Sequence, residues 1–595
     1  MCGIAGIVTA DGVRPDDALL DRMSTAMAHR GPDGQGRHVR AGAALVQVRL
    51  AIIDLDGGDQ PLYGPGGADG PALVANGEIY NYRELKQSMT GCHFKTQSDC
   101  EPPLHLYMQH GLDFVRHLRG MYAIAIDDPV HDRVVLARDP FGIKPLYYAD
   151  TLQGLAFSSE AQVLIAAGLV TPAMVSDKRD ELLQLQFTTG RQTVFEGIQR
   201  VLPGEVLVIR GGRIVERRRH AALPEGGVRG LSEEDALKVL DDYLMESVKL
   251  HQRADVNYGM FLSGGIDSSA ILAMMARLNV RPVHAFTAGF DGTGVHDERE
   301  QARRAAASVG ADHDEVSFSE NDFWTLLPRV AAAMDDPAAD YATLPTYKLA
   351  MTAREAGLKV ILSGEGGDEL FGGYGRYRRA SRWRLFGGRP MRASGAMDDL
   401  GLLRQSPKNW RDGIAEAEKR EGGPHRTRLQ TAQAVDISDW LPNDLLTKLD
   451  RCLMAHGVEG RVPFIDPVLA DFAFRLPDRL KTHRRMGKWL LRKWLETGLP
   501  ESRPYHHKVG FTVPVGDWIA IQGKRVGALL VDQPAVQEIC DLDAVRRLFN
   551  DLGTSGDKKH GQAAWNILFY ALWHARHIEG RNADGDVFDV LAARS

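Results

Sequence analysis

Val256-Asn-Tyr-Gly-Met-Phe-Leu-Ser-Gly-Gly-Ile-Asp-Ser-Ser-Ala-Ile-Leu-Ala-Met-Met-Ala-Arg-Leu278 decides the architecture of the larger part of this chain. Val256 to Leu262 reads as a strand, Ser-Gly-Gly breaks it, and the run to Leu278 carries the apolar spacing of a helix. In a strand–turn–helix unit, Gly264 and Gly265 let the backbone approach an anion closely, and the helix start presents free N–H groups to it. Ser263, Ser268 and Ser269 add hydroxyl donors, and Asp267 offers the hard oxygen that Mg²⁺ prefers. The loop has no Walker lysine, so it is not the phosphate loop of common NTPases.

The same alternation continues downstream. Val283 to Thr287 and Lys359 to Leu362 read as strands, with a helix from about Glu298 to Val309 between them, and so predict a parallel α/β sheet. A second glycine-rich loop, Leu362-Ser-Gly-Glu-Gly-Gly-Asp-Glu-Leu-Phe-Gly-Gly-Tyr374, follows the last of these strands. It sets Glu365, Asp368 and Glu369 at the carboxyl edge of the sheet, where α/β folds bind ligands.

The first 210 residues have a different texture: short apolar runs broken by glycine, among them Ala43–Ile53, Ala72–Ala75, Met121–Ile126 and Arg133–Ala137. They predict a β-rich first domain over 1–210, closed by a hairpin at Val201–Ile209 and Gly211-Gly212. An Arg- and Gly-rich stretch, 211–232, reads as the linker. Ser232-Glu-Glu-Asp, a capping serine before an acidic first turn, opens a second domain over 233–595. Residues 385–430 are poorly periodic and read as a mobile excursion, and the C-terminal third reads as helical.

Composition narrows the function classes. The chain has 595 residues, long enough for two to four domains, with 44% hydrophobic and 25% charged residues. Lys and Arg total 72 against 78 Asp and Glu, a net charge of -6, which gives no chain-wide field for nucleic acid or anionic membrane. No apolar run approaches a membrane span. Five cysteines (Cys2, Cys92, Cys100, Cys452, Cys540) and no signal peptide at the start predict a reducing, cytoplasmic setting. Cys92, His93, Cys100 and His105 are close in sequence, but their spacing fits no standard zinc pattern.

Cys2 carries the first chemistry. A small residue after Met1 lets the methionine be removed, and an N-terminal cysteine then holds a thiol nucleophile beside its own α-amine. That amine titrates near ~8 and can serve as the thiol's base. Around it stand Cys2-Gly-Ile-Ala-Gly6, His29-Arg-Gly-Pro-Asp33, Arg49-Leu-Ala-Ile-Ile-Asp54, Asn76-Gly-Glu-Ile-Tyr-Asn81, Ser98-Asp99 and Ala137-Arg-Asp-Pro-Phe-Gly-Ile-Lys-Pro-Leu-Tyr-Tyr148. These blocks resemble the class II, N-terminal-nucleophile glutamine amidotransferase domain. The resemblance implies an αββα sandwich, with Cys2 as nucleophile and Asn76 and Gly77 as oxyanion donors. It also implies Arg49 on the glutamine α-carboxylate and Asp99 with Glu78 on its α-ammonium. The chain departs from the family at Gln47-Val48, where a glycine-histidine pair often precedes the arginine.

The two glycine-rich loops, with Leu449-Asp-Arg451, Gly457-Val-Glu-Gly-Arg-Val-Pro-Phe-Ile-Asp466, Gly487-Lys488 and Lys508-Val-Gly-Phe511, resemble the synthetase half of glutamine-hydrolysing asparagine synthetases. The implied fold is a doubly wound parallel α/β sheet of ATP-pyrophosphatase type with extra helices. The implied reaction is ATP-dependent amidation of aspartate through β-aspartyl-AMP, with Mg²⁺. By resemblance, Ser363, Gly364 and the Ser263–Ser269 loop hold the nucleotide, and Leu262 and Ala288 give backbone contacts to adenine. Asp267 and Asp368 bind metal, Lys508 meets the phosphates, and Glu365 is the general base. Glu369 and Arg461 are candidates for contacts to aspartate. The small-molecule partners are then glutamine, aspartate and ATP, with a homodimer suggested by the family and a tunnel expected near the domain interface. The same machinery acting on another carboxylate, such as an amino-acid or peptide derivative or a sugar acid, is the alternative.

Overall fold

A computed structural model describes residues 2–291, 298–382, 387–506, 513–555 and 557–593. The first domain contains twelve strands: Gly3–Thr9 (β1), Gly34–Arg40 (β2), Ala43–Arg49 (β3), Leu62–Tyr63 (β4), Ala72–Ile79 (β5), Gly120–Asp128 (β6), Arg133–Arg138 (β7), Tyr147–Thr151 (β8), Gly154–Ser158 (β9), Ile198–Arg200 (β10), Glu205–Arg210 (β11) and Arg213–Arg219 (β12). They form two antiparallel six-stranded sheets, ordered β10-β8-β9-β1-β3-β2 and β12-β11-β7-β6-β5-β4.

Side-chain alternation explains the layers. Ile4 and Val8 of β1 join Ala123 and Ala125 of β6 between the sheets, while Ala5 and Ile7 face outward onto the helix Asp17–Ala26. On the second sheet, Tyr122, Ile124 and Ile126 face the helix Glu101–His110 through Leu104 and Tyr107. Both faces of both sheets are therefore covered, as an αββα sandwich requires.

The hairpin β11–β12 closes the second sheet, so residues 213–219 of the stretch expected as linker belong to the first domain. Its composition hid this strand. An edge strand exposes one side, and β12 carries charges there, a common guard against edge-to-edge pairing.

In the second domain Tyr258–Phe261 (β13), His284–Phe290 (β14), Asp312–Phe318 (β15), Val360–Leu362 (β16) and Glu459–Arg461 (β17) form a wholly parallel sheet, ordered β15-β14-β13-β16-β17. The order reverses at β13. The crevice beyond the carboxyl ends of β13 and β16 is the switch point of a doubly wound sheet. The helix Ile266–Leu278 leaves β13 and packs against Glu233–His251 and Trp489–Gly498. No helix among the described residues is long and apolar enough to cross a membrane.

Residues 387–430 are not a loose excursion. Met391, Ile414, Ala417 and Leu429 share a small core with Leu185, Phe187 and Tyr377, with helices at Asp412–Glu421 and Arg428–Val435. Their apolar residues pack against distant parts of the chain, so local periodicity understates the order.

A buried charge network joins the domains. Arg30 donates Nη1 and Nη2 to Asp450 at 2.8 and 3.1 Å and Nη1 to Glu160 at 2.7 Å. Arg451 meets Asp335 at 2.6 Å, and Arg200 meets Asp336 at 2.6 Å.

Candidate active sites

Cys2 is 7% exposed, at the start of β1. Its backbone nitrogen donates to Asn76 Oδ1 at 3.2 Å, and its carbonyl accepts Arg30 Nε at 3.3 Å. Burial pushes the thiol up, while the positive chain terminus, the Leu50 N–H and the Arg49 guanidinium pull the other way. Asn76 lies on β5 and is fully buried, yet its Nδ2 has no hydrogen-bond partner among the described residues. A buried amide donor left open beside a thiol is costly unless a substrate oxygen completes it.

Gly77 follows, with φ +155; a Cβ there would stand 2.0 Å from the Met121 carbonyl oxygen, so only glycine fits. Arg49 is buried, and the carbonyls of Asp54 (2.6 Å) and Leu55 (3.0 Å) orient its guanidinium, with Asp59 Oδ1 at 2.8 Å. Asp99 accepts the Ile79 N–H at 2.7 Å. Burial, with Asp99 and Glu459 nearby, holds the Glu78 carboxyl well above the usual range, and burial also raises Asp99. Two buried carboxyls, partly offset by the Arg461 guanidinium, suit an incoming ammonium.

The second site is a cavity of about 670 Å³ at the switch point. Leu262, Ser263, Gly265, Asp267, Ser268 and Ala288 line one wall, and Ser363, Gly364, Glu365, Asp368 and Glu369 another. Gly264 and Ser269 stand behind the wall: Gly264 turns at φ +66 against Ala302, and Ser269 is buried in the helix. The loops need glycine where they meet, because a Cβ on Gly367 would be 2.4 Å from Asp267 Cγ. The Ser263 N–H donates to Ser268 Oγ at 3.2 Å, which folds the turn over the helix start. Ser363 Oγ donates to Glu365 Oε2.

Lys488 is the residue that sequence reading gave no role. It enters at φ +58, 2% exposed, and its Nζ contacts the carboxylates of both Asp267 and Asp368, the latter at 2.7 Å. Its only signal in the sequence was the Gly487-Lys488 pair. No group of three or more His, Cys, Asp or Glu able to hold a metal occurs among the described residues. Asp267 and Asp368 are the two carboxylates that Lys488 brings together where the loops meet, and as hard oxygen donors the pair fits a magnesium ion completed by water and phosphate oxygens. Lys508 lies outside the described residues.

Arg461 was a candidate for the second site, but its side chain faces the first. It is fully buried, pairs with Glu459 at 2.5 Å, and stands 3.4 Å from Glu78. Its backbone carbonyl meanwhile accepts the Ser363 N–H at 2.8 Å. It sits on β17, which pairs with β16 through Leu362–Arg461.

The asparagine synthase family model matches residues 239–575, and the glutamine amidotransferase domain model matches residues 1–220. The chain belongs to the glutamine-hydrolysing asparagine synthetase family. A Mycobacterium tuberculosis protein provisionally named as such a synthetase is 34% identical over 97% of this chain and 98% of its own. Asparagine synthetase 1 of Bacillus subtilis is 31% identical over 98% of both chains. Asparagine synthetase B of Escherichia coli is 28% identical over 87% of this chain and 83% of its own. Membership accounts for both halves at once: a glutamine amidotransferase domain and an ATP-using domain built on a parallel sheet.

Proposed function

We infer that this chain makes L-asparagine from L-aspartate, with ATP as activator and glutamine as nitrogen source. In the first domain, once Met1 is removed, the Cys2 thiolate attacks the glutamine carboxamide carbon. The α-amine takes the thiol proton and passes it to the departing ammonia. Asn76 Nδ2 and the Gly77 N–H stabilise the oxyanion, an electrostatic role of large effect in such reactions. Arg49 holds the substrate α-carboxylate, and Asp99 and Glu78 hold its ammonium. Water then hydrolyses the thioester to glutamate.

In the second domain a β-carboxylate oxygen of aspartate attacks the ATP α-phosphorus, and pyrophosphate leaves. Ser263, Gly264, Gly265, Ser268, Ser269, Ser363 and Gly364 shape the nucleotide cradle, with Leu262 and Ala288 beside the adenine. Asp267 and Asp368 would hold Mg²⁺, which neutralises phosphate charge when bound; Lys488 adds fixed positive charge, and Lys508 is the further cation that would meet the phosphates. Ammonia attacks the acyl carbon of β-aspartyl-AMP, Glu365 accepts its proton, and the acyl C–O bond breaks to release AMP.

The observation that carries this reading is Arg461, whose side chain reaches Glu78 in one site while its carbonyl holds Ser363 in the other. Two sites that share one residue suit a transfer of ammonia that never meets bulk water, where it would be mostly protonated. Aspartate labelled with ¹⁸O in its β-carboxylate tests the route. One labelled oxygen should appear in the AMP phosphate; unlabelled AMP beside labelled asparagine would exclude the acyl adenylate.

A further inference from the structure

Beyond the nucleotide loops, the synthetase cavity continues to a charged inner end. There Arg392 stacks on Trp440 with its guanidinium carbon 4.8 Å from the ring centroid, and on Phe187 at 4.9 Å. Its Nε and Nη2 are buried and have no hydrogen-bond partner among the described residues, and the nearby Asp436 Oδ1 is 3.8 Å from Nη2. Arg376 takes the other Asp436 oxygen, Oδ2, at 2.6 to 2.7 Å, and that guanidinium is clasped over Tyr374 and Trp440 at 3.8 and 4.1 Å. Asp436 Oδ1 makes no hydrogen bond among the described residues and is beyond hydrogen-bonding reach of Arg392. Arg392 is therefore a cation held flat and in place, with two donors open.

At the edge of the Trp440 ring, Nε1 donates to Asp444 Oδ2 at 2.6 Å, and Asp444 Oδ1 is buried without a hydrogen-bond partner among the described residues. Both residues lie on the wide-turned π-helix Asp436–Leu445, a conformation that recurs at functional sites. Burial first, and Asp340 second, push the Asp444 carboxyl up to about 7. Burial likewise lowers Arg392. Each group has a counter-charge only at a distance, Arg392 in Asp436 and Asp444 in Lys448 and Arg392. Each keeps hydrogen-bonding atoms open, donors on Arg392 and an acceptor on Asp444, with Trp440 touching both. Open donors and an open acceptor in one cavity are completed together by a small zwitterion.

We propose that Arg392 and Asp444 are the specificity pair for the acceptor, Arg392 holding the α-carboxylate and Asp444 the α-ammonium of the amino acid to be amidated. The assignment rests on the asparagine synthetase reading above and adds to it the residues that select an α-amino acid. The β-carboxylate is then the end left to face Glu365 and the nucleotide.

Two truncated acceptors separate the halves of this assignment. β-Alanine is aspartate without its α-carboxylate, and succinate is aspartate without its ammonium. Pyrophosphate release with ATP and ammonia gives kcat/KM for each, and glutamine hydrolysis without aspartate reports that a variant has folded. Arg392→Ala should lower kcat/KM for aspartate by about tenfold or more and collapse the aspartate-to-β-alanine ratio, leaving the aspartate-to-succinate ratio standing. Asp444→Asn should give the crossed result. If Arg392→Ala also loses glutamine hydrolysis, Arg392→Lys, which keeps the charge without the fork, carries the same ratio test. Both ratios holding in both variants would overturn the pair. A wild-type protein inert toward aspartate would overturn the underlying reading instead.

Discussion

Arg30 of the first domain and Asp450 of the second, 420 residues apart in sequence, form a two-pronged buried ion pair at 2.8 and 3.1 Å. The same arginine donates to the Cys2 carbonyl. Asp450 sits on the helix Leu446–Met454, whose Lys448 lines the synthetase cavity and pairs with Asp340 at 2.9 Å. The position of the nucleophile is thereby tied to an element of the other site. Asp450→Asn leaves Arg30 buried with Glu160 as its remaining carboxylate, and breaking such a pair costs about 3–5 kcal/mol. Chemical denaturation should show that loss, and glutamine-dependent synthesis should fall further than ammonia-dependent synthesis. Equal loss of both would deny the link to Cys2.

Cys2→Ala should reduce glutamine-dependent amidation by at least about a thousandfold while ammonia still supports it. Asn76→Ala should cost about a hundredfold or more in glutaminase turnover, the usual effect of removing an oxyanion donor. Steady-state assays with each nitrogen source check both. Glutaminase activity retained in Cys2→Ala would remove the thiol from the mechanism.

Lys488 gathers Asp267 and Asp368, so its loss should strike only the ATP-using half. Lys488→Ala is expected to cut AMP formation by about a hundredfold or more and to spare glutamine hydrolysis. Glu365→Ala should stop amide formation with either nitrogen source. Normal asparagine yield from Glu365→Ala would require another base.

Asp444 makes the stability of the empty enzyme fall with rising pH. Its carboxyl ionises near ~4 when unfolded but at about 7 when buried among Asp340, Lys448, Arg392 and Trp440. The unfolded chain loses that proton first, so the cost of folding is absent below about pH 4 and complete above about pH 7. The advantage of Asp444→Asn in melting temperature should therefore be larger at pH 8 than at pH 5. A difference independent of pH would mean that the carboxyl does not titrate in this range.

What could be read from the sequence followed from local order. Ser263–Ser269 and Ser363–Glu369 each follow a strand directly, so chain connectivity alone sets them at the sheet's edge, and the structure brings their walls together in one cavity. Cys2, Asn76 and Asp99 likewise belong to ordered blocks. Arg392, Trp440 and Asp444 belong to none: their chemistry arises where an irregular segment meets a π-helix, and no spacing announces it. Arg461 shows a subtler limit. Its place on β17 is near both sites, but alternation along the strand decides which one the guanidinium reaches.

Wild-type enzyme given ATP, Mg²⁺ and glutamine, with and without L-aspartate, tests the account most directly. It predicts AMP and asparagine in equal amounts, both dependent on aspartate, with glutamate formed alongside. Glutamate formed without aspartate-dependent AMP would contradict aspartate as the acceptor.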